Sequence, residues 1–284
     1  MTGRNYWAYL FIPLAFFYIV AFFTPQVFFL SDSFYESAGR ALISDRFTWS
    51  NYVVLLTDPY YLAAFRTSIT LSAVVAILGL ILAGPMAFYI THGPRRSGFF
   101  VLTIVVAMLF SNAVIRTLGW RVVLSNVGPI NIALIKLGLI DSPIQLLDNY
   151  TGVAIGVIHA LLPIYVISLV PVTQAIPTNL LRAASGLGAS TWRTFWRVIF
   201  PIVRNGVIGS ALLIFAGSIG AFTTPAMLGG GRSLLLPILI RERVLLQLDW
   251  PTGAALATLL AVLVIAISLI VGLFGTKTRK QTVV

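Results

Sequence analysis

The sequence predicts an all-α, polytopic membrane protein, a single bundle of six transmembrane helices spanning residues 1–284. Three observations carry this reading. Of 284 residues, 58% are hydrophobic and only 10% charged, whereas a soluble globular domain carries about 25% charged residues. The mean hydropathy is +0.96. The apolar residues are also gathered into runs long enough to cross a hydrocarbon core about 30 Å thick as helices.

The first run, 7–30, is long and aromatic-rich and lacks a small-residue cleavage site, so it reads as a retained helix and not as a signal peptide. The others are 67–90, 99–115, 152–171, 206–227 and 253–274. The third is the least regular, since Ser111 and Asn112 interrupt it and Arg116 closes it. With six spans both termini share a side. Inside termini place Arg4, Arg95, Arg96, Arg182, Arg193, Arg197, Arg204, Lys277, Arg279 and Lys280 in short cytoplasmic segments close to helix ends, where positive charge governs orientation. All eight acids then fall on the outer side: Asp32, Glu36, Asp45, Asp58, Asp141, Asp148, Glu242 and Asp249. Two outer loops are long. Residues 31–66 are rich in aromatics, and 118–149 contain the apolar stretch 131–140, too short to span and therefore interfacial or re-entrant.

Composition also excludes functions. The formal charge of +11 is spread over short loops and forms no basic stripe with interleaved aromatics, which argues against nucleic acid as a partner. The absence of cysteine removes disulfides, thiolate metal sites and thiol catalysis. His92 and His159 belong to no metal-ligand cluster, and no G-x-x-x-x-G-K-[ST] phosphate loop is present. No acid lies inside a predicted span, which counts against a carrier driven by an intramembrane carboxylate.

The most informative segment is the inner loop 176–201. Pro177 suits a helix start, and Ala183, Ala184 and Gly188 give a face that another chain can approach closely. Ser190 then suits the N-cap of a second short helix that stops near Pro201. On it Trp192, Phe195, Trp196, Ile199 and Phe200 recur at i, i+3, i+4, i+7 and i+8, with Arg193 and Arg197 elsewhere. Spacing alone predicts an interfacial helix, one side against the bundle and the other toward the cytosol.

These residues resemble the EAA loop of ATP-binding-cassette importer permeases, Glu-Ala-Ala, three residues, Gly, nine residues, Ile-x-Leu-Pro. Ala183, Ala184, Gly188 and Pro201 fall on register, Val198 and Phe200 replace the Ile and Leu, and Arg182 stands where the family usually has Glu. The resemblance implies a type I importer fold in a bacterial inner membrane. In that family the loop is the coupling helix, which docks on an ATPase subunit, so Arg182, Ala183, Ala184, Gly188 and Pro201 are the expected coupling residues.

The segment from Ala221 to Arg232, Ala-Phe-Thr-Thr-Pro-Ala-Met-Leu-Gly-Gly-Gly-Arg, resembles the Thr-Pro-x-x-Leu-Gly-Gly stretch of the spermidine/putrescine-type branch, also found in iron(III) and aminophosphonate importers. The implied partners are a second, similar but distinct permease, two ATPase subunits that hold ATP and Mg, and an extracytoplasmic solute-binding protein. The chain itself is expected to be no enzyme and to carry no cofactor, and the implied solute is small and polar or cationic, polyamine-like by preference. Pathway candidates are Asn112, Trp120, His159, Phe222 and Thr223. His159 either faces the pathway or is bonded to a neighbouring helix. Glycine and proline in the spans, Gly79, Gly84, Pro85, Gly217 and Gly220, suit close packing or bends. An ion-coupled secondary transporter, a membrane enzyme and a structural anchor are the rivals.

Overall fold

The computed structural model describes residues 6–39, 42–230 and 234–276, with side chains from Phe11 to Leu273 within those ranges. Arg4, Lys277, Arg279 and Lys280, used above for orientation, and Gly231 to Ser233 of the glycine-rich segment lie outside the described residues.

Helices dominate. In chain order they are α1 (Tyr6–Asp32), α2 (Ser50–Thr57), α3 (Pro59–His92), α4 (Arg95–Leu109), α5 (Ala113–Val123), α6 (Pro129–Lys136), α7 (Tyr150–Gln174), α8 (Thr178–Gly186), α9 (Thr191–Thr194), α10 (Phe200–Ile219), α11 (Thr223–Leu228), α12 (Leu236–Arg241) and α13 (Trp250–Thr276). A hairpin of β1 (Tyr35–Gly39) and β2 (Leu42–Phe47) follows α1. The sequence reading contains no strand here, because residues 35–47 lack a clean apolar alternation. Among the described residues five helical stretches are long and apolar enough to cross a membrane: Phe11–Asp32, Pro59–His92, Tyr150–Gln174, Thr191–Ile219 and Trp250–Leu273. The sixth is a pair, α4 and α5, bent by 101°.

That bend corrects the third span. Helix α4 ends at Leu109, three residues pass, and a new helix begins at Ala113, so Arg116 lies inside α5 and does not close a straight helix. Asn112 makes the break tolerable. Its Oδ1 accepts from the backbone N–H groups of Val114 at 2.8 Å and Ile115 at 3.4 Å, replacing partners that the new helix start lacks.

Chain contacts divide the protein into two units, described here separately. One comprises Met1–Ala63 with Leu239–Val262. In it α1 exposes its side chains from Phe11 to Phe28 on all sides, as an apolar helix facing lipid or another subunit would. Next to the hairpin, Phe34 packs against Phe47, Trp49 and Tyr52 with ring centroids 4.9–5.8 Å apart. Asn51 Nδ2 donates to the carbonyls of Ser33 and Tyr35, both at 2.9 Å, which fixes the hairpin on α2. Further along, Arg243 donates to the Tyr61 hydroxyl and lies 3.7 Å from the Asp249 carboxylate.

The other unit comprises Ala64–Ile238 with Leu263–Val284 and holds the main core: Leu71, Val75, Val105, Val157, Tyr165, Val166, Leu169, Ile214 and Leu228 among others. Without a hydrophobic force between helices in lipid, close backbone approach and dispersion must hold them together. Small residues supply that approach. The Tyr165 ring fills the space over Gly79, where a Cβ would lie 3.0 Å from it, and the Tyr165 hydroxyl donates to the Ala76 carbonyl at 2.9 Å. Gly206 makes room for Val172, and Gly156 for Leu228 and Thr224. Thus α7 is pressed against α3, α10 and α11. At the other end of α7, the Thr173 hydroxyl and the Ile176 carbonyl meet Thr91 and His92 at 3.2 Å each.

A leucine at Gly156 has no room, whereas Gly209 has nothing within 4 Å of a built Cβ. Gly156→Leu is expected to cost about 1–3 kcal/mol through overpacking and to lower the detergent melting temperature followed by intrinsic tryptophan fluorescence. Gly209→Leu should leave it near wild type.

Candidate functional site

Two places in the helical unit bring the predicted residues together. The first is the loop from Ile176 to Pro201. Helix α8 starts after Pro177 and ends in a Schellman turn: the Gly188 N–H donates to the Ser185 carbonyl and the Ala189 N–H to the Ala184 carbonyl, both at 3.0 Å. Gly188 has φ +71°, a left-handed conformation that costs other residues strain, and this is why glycine stands there. Two residues later the Ser190 hydroxyl accepts from the Arg193 N–H at 3.3 Å and caps the next helix. The chain therefore reverses over 187–190 with the N–H groups of Leu187, Gly188 and Ala189 taken by carbonyls of α8.

The second helix does not stop at Pro201. From Thr191 it runs through a π turn at Phe195–Ile199 into α10 and on to Ile219. Proline has no N–H to give and its ring crowds the preceding turn, and a wider π turn just before it relieves both without ending the helix. The aromatic stripe differs from expectation too. Trp192, Phe195, Trp196 and Phe200 stack on one another, with centroids 5.1–6.3 Å apart, yet stay exposed, Trp192 by 70%. None of them is buried against the bundle. Arg182, Ala183 and Gly188 are exposed and Ala184 is half-buried. Leu187, which the sequence reading passed over, is 88% exposed at the tip of the reversal. An apolar tip held out by a rigid turn is suited to insertion into a groove of another chain.

The second place lies where α5, α7 and α11 meet. Trp120 and His159 pack edge to face with centroids 5.4 Å apart. One turn before Trp120, Arg116 lies within electrostatic range of His159. Thr117 faces Thr224 of α11 with their hydroxyls 3.4 Å apart, and Arg121 Nη1 donates to the Met227 carbonyl at 3.3 Å. Gly229 and Gly230 follow α11, and Gly230, at φ +59°, has Asp148 against it, whose N–H donates to the Leu228 carbonyl at 2.9 Å. Of the pathway candidates, Trp120 and His159 are thus in contact. Phe222 and Thr223 open α11, with the Phe222 carbonyl accepting from the Ala226 N–H at 3.0 Å. Asn112 is committed to capping. Arg116 was missed as a site residue because the straight third span placed it at a boundary.

Residues 77–280 match the model of the binding-protein-dependent transport system inner membrane component, and the chain belongs to that family. It is the permease subunit of an ATP-binding-cassette importer, a multi-pass protein of the inner membrane. Among its relatives is the spermidine/putrescine transport system permease protein PotB of Escherichia coli K12, 31% identical over 240 residues, which are 84% of this chain and 87% of that protein. PotB of Haemophilus influenzae is 31% identical over 256 residues, 90% of this chain and 88% of that one. A putative ferric transport system permease protein, FbpB 1 of Haemophilus influenzae, is 25% identical over 259 residues, covering 91% of this chain and 39% of that one. The fold is that of a chain in a bacterial importer of the acidic polysaccharide alginate, at TM-score 0.79 and 17% identity, covering 98% of this chain and 97% of that one. Nothing in these likenesses favours an ion-coupled carrier.

The left-handed position at Gly188 gives a local test. Gly188→Val is expected to cost about 1–3 kcal/mol of backbone strain, loosening the reversal so that trypsin cuts at Arg182 and Arg193 several-fold faster in detergent. Gly186→Ala, at the end of α8, should leave the rate unchanged.

Proposed function

We propose that this chain pairs with a second, distinct permease to enclose a pathway for a small polyamine-like cation. Two separate ATPase subunits, holding ATP and Mg, drive it, and an extracytoplasmic binding protein delivers the solute. The observation that carries this reading is the 31% identity to the PotB proteins over most of both chains. The alginate importer, whose structure is known in complex with a solute-bound periplasmic protein, shares the fold and supports the same division of labour. The sequence holds no phosphate-binding loop of the ATPase type, in keeping with hydrolysis on a partner.

In this reading both termini and the loop 176–201 face the cytosol. The α8 turn, with Ala183, Ala184, Leu187 and Gly188, seats in a groove of an ATPase subunit, and closure of the two ATPases displaces it. Because the chain continues from Ser190 through an unbroken helical stretch, Thr191–Ile219, the displacement passes into the membrane as motion of one rod. Arg182, exposed where related loops carry Glu, calls for an acidic side chain in that groove.

The experiment is a gentle detergent pull-down of the tagged chain from its native membrane, followed by uptake of labelled putrescine and ATPase assays on the reconstituted complex. Recovery of an ATPase and a second permease is expected. In Gly188→Val, uptake should fall by about tenfold or more, equivalent to about 1.4 kcal/mol, while solute affinity of the binding protein is unchanged and ATP hydrolysis no longer responds to it. Full uptake with normal ATPase stimulation in that variant would overturn the coupling role.

A further inference from the structure

Where α5 meets α7, buried polar atoms lack partners within the chain. Both residues are half-buried; Nε and Nη1 of Arg116 and Nδ1 of His159 are enclosed and make no hydrogen bond, while Nη2 of Arg116 is not among these enclosed atoms. The neighbouring groups are already committed. The Thr117 hydroxyl donates to the Ala113 carbonyl, and Arg121 reaches the Met227 carbonyl. Asn112 caps α5, and the Trp120 ring lies against His159. The only ion pair among the described residues is the one between Arg243 and Asp249.

A guanidinium cannot lose its charge at any working pH, so it cannot relieve its burial by deprotonation. Partly enclosing it without a counter-charge in the membrane is costly, and such a residue persists where something outside the chain pairs with it. Its planar fork, Nη2 paired with either Nε or Nη1, matches a carboxylate, which accepts two N–H groups at once. His159, against Trp120 one turn further along α5, can present Nδ1–H as a further donor in the tautomer that carries the proton there. An unpaired guanidinium would also repel a cationic solute.

We infer that Arg116, with His159 beside it, is the receptor for a carboxylate that reaches it from outside this chain. The inference rests on the permease reading above. The carboxylate has two sources: an aspartate or glutamate of the second permease, which neutralises the pathway for a cation, or a carboxyl group carried by the solute.

The test uses the complex purified from native membrane and reconstituted. Where the second permease supplies the carboxylate, Arg116→Gln is expected to lower putrescine uptake by about tenfold or more with the complex intact. If the carboxylate belongs to the second permease, replacing one of its intramembrane acids by the matching amide in the Arg116→Gln background restores uptake to within about threefold of wild type, and replacing the others does not. If it belongs to the solute, uptake of putrescine, which has no carboxyl group, stays within about threefold of wild type, and inhibition by 4-aminobutanoate weakens at least tenfold while inhibition by unlabelled diamine does not. Should Arg116→Gln not assemble, Arg116→Lys keeps the charge without the fork and is read by the same pairings. Wild-type uptake and inhibition in an assembled Arg116→Gln complex overturns the inference and leaves the permease reading standing. So does lost uptake that neither arm accounts for, since the guanidinium then serves packing alone. A wild-type chain that brings down no second permease or ATPase overturns the permease reading itself.

Discussion

In hydrocarbon the backbone has no water to fall back on, so each N–H and C=O must find a partner inside the protein. Several interruptions of helices among the described residues meet that requirement with side chains and turns. At the bend between α4 and α5, Asn112 Oδ1 takes the freed N–H groups. Before α7, Asn149 Oδ1 accepts from Gly152 N–H at 2.9 Å. In the connection before it, the Asn131 side chain donates to the Ser125 and Ile144 carbonyls and accepts from Ile144 N–H. At the loop reversal the Schellman bonds and Ser190 do the same work. The breaks are therefore defined joints, and the two candidate functional places sit beside two of them.

The joints have meaning only if the rods between them are held in register. That register comes from shape, since lipid tails are as apolar as leucine. The glycines that face Tyr165, Val172 and Leu228 admit one large side chain each from a neighbouring helix, and the hydroxyls of Tyr165 and Thr173 reach carbonyls of α3 across the same seam. Shape and hydrogen bonding thus select the same pairing of α3 with α7.

Much of this is legible in the sequence because the signals are local. Hydropathy marks the long helices, Gly79 reads as a packing glycine, and Ser190 and Gly188 read as cap and bend from their residue types alone. What is not legible depends on distant partners. A proline that ends a helix and one preceded by a π turn look alike, so Pro201 misleads. The aromatic stripe from Trp192 to Phe200 has the spacing of a buried face, but its surroundings decide whether it is covered. Arg116 looks like the end of a span because a run of apolar residues stops near it. Only the 101° bend returns it to the interior, where His159, forty-three positions later, stands beside it.

The two candidate places are mechanically continuous. The stretch Thr191–Ile219 leaves the loop reversal and ends one residue before Gly220, from which a short link enters α11. Helix α11 packs on α5 through Thr224 and Thr117, and α5 carries Arg116 and Trp120. A push on the loop travels along a rod, because a hydrogen-bonded helix resists compression, and must be absorbed where the rod ends. There the chain has the short turn of Gly220 to Phe222, and beyond it α11 is held by Leu228 in the core against Gly156, by the Asp148 N–H on the Leu228 carbonyl, by the Thr224–Thr117 hydroxyl pair and by Arg121 on the Met227 carbonyl. On the proposed coupling, motion from an ATPase would reach α5, the helix that carries Arg116, through the packing of α11 on α5.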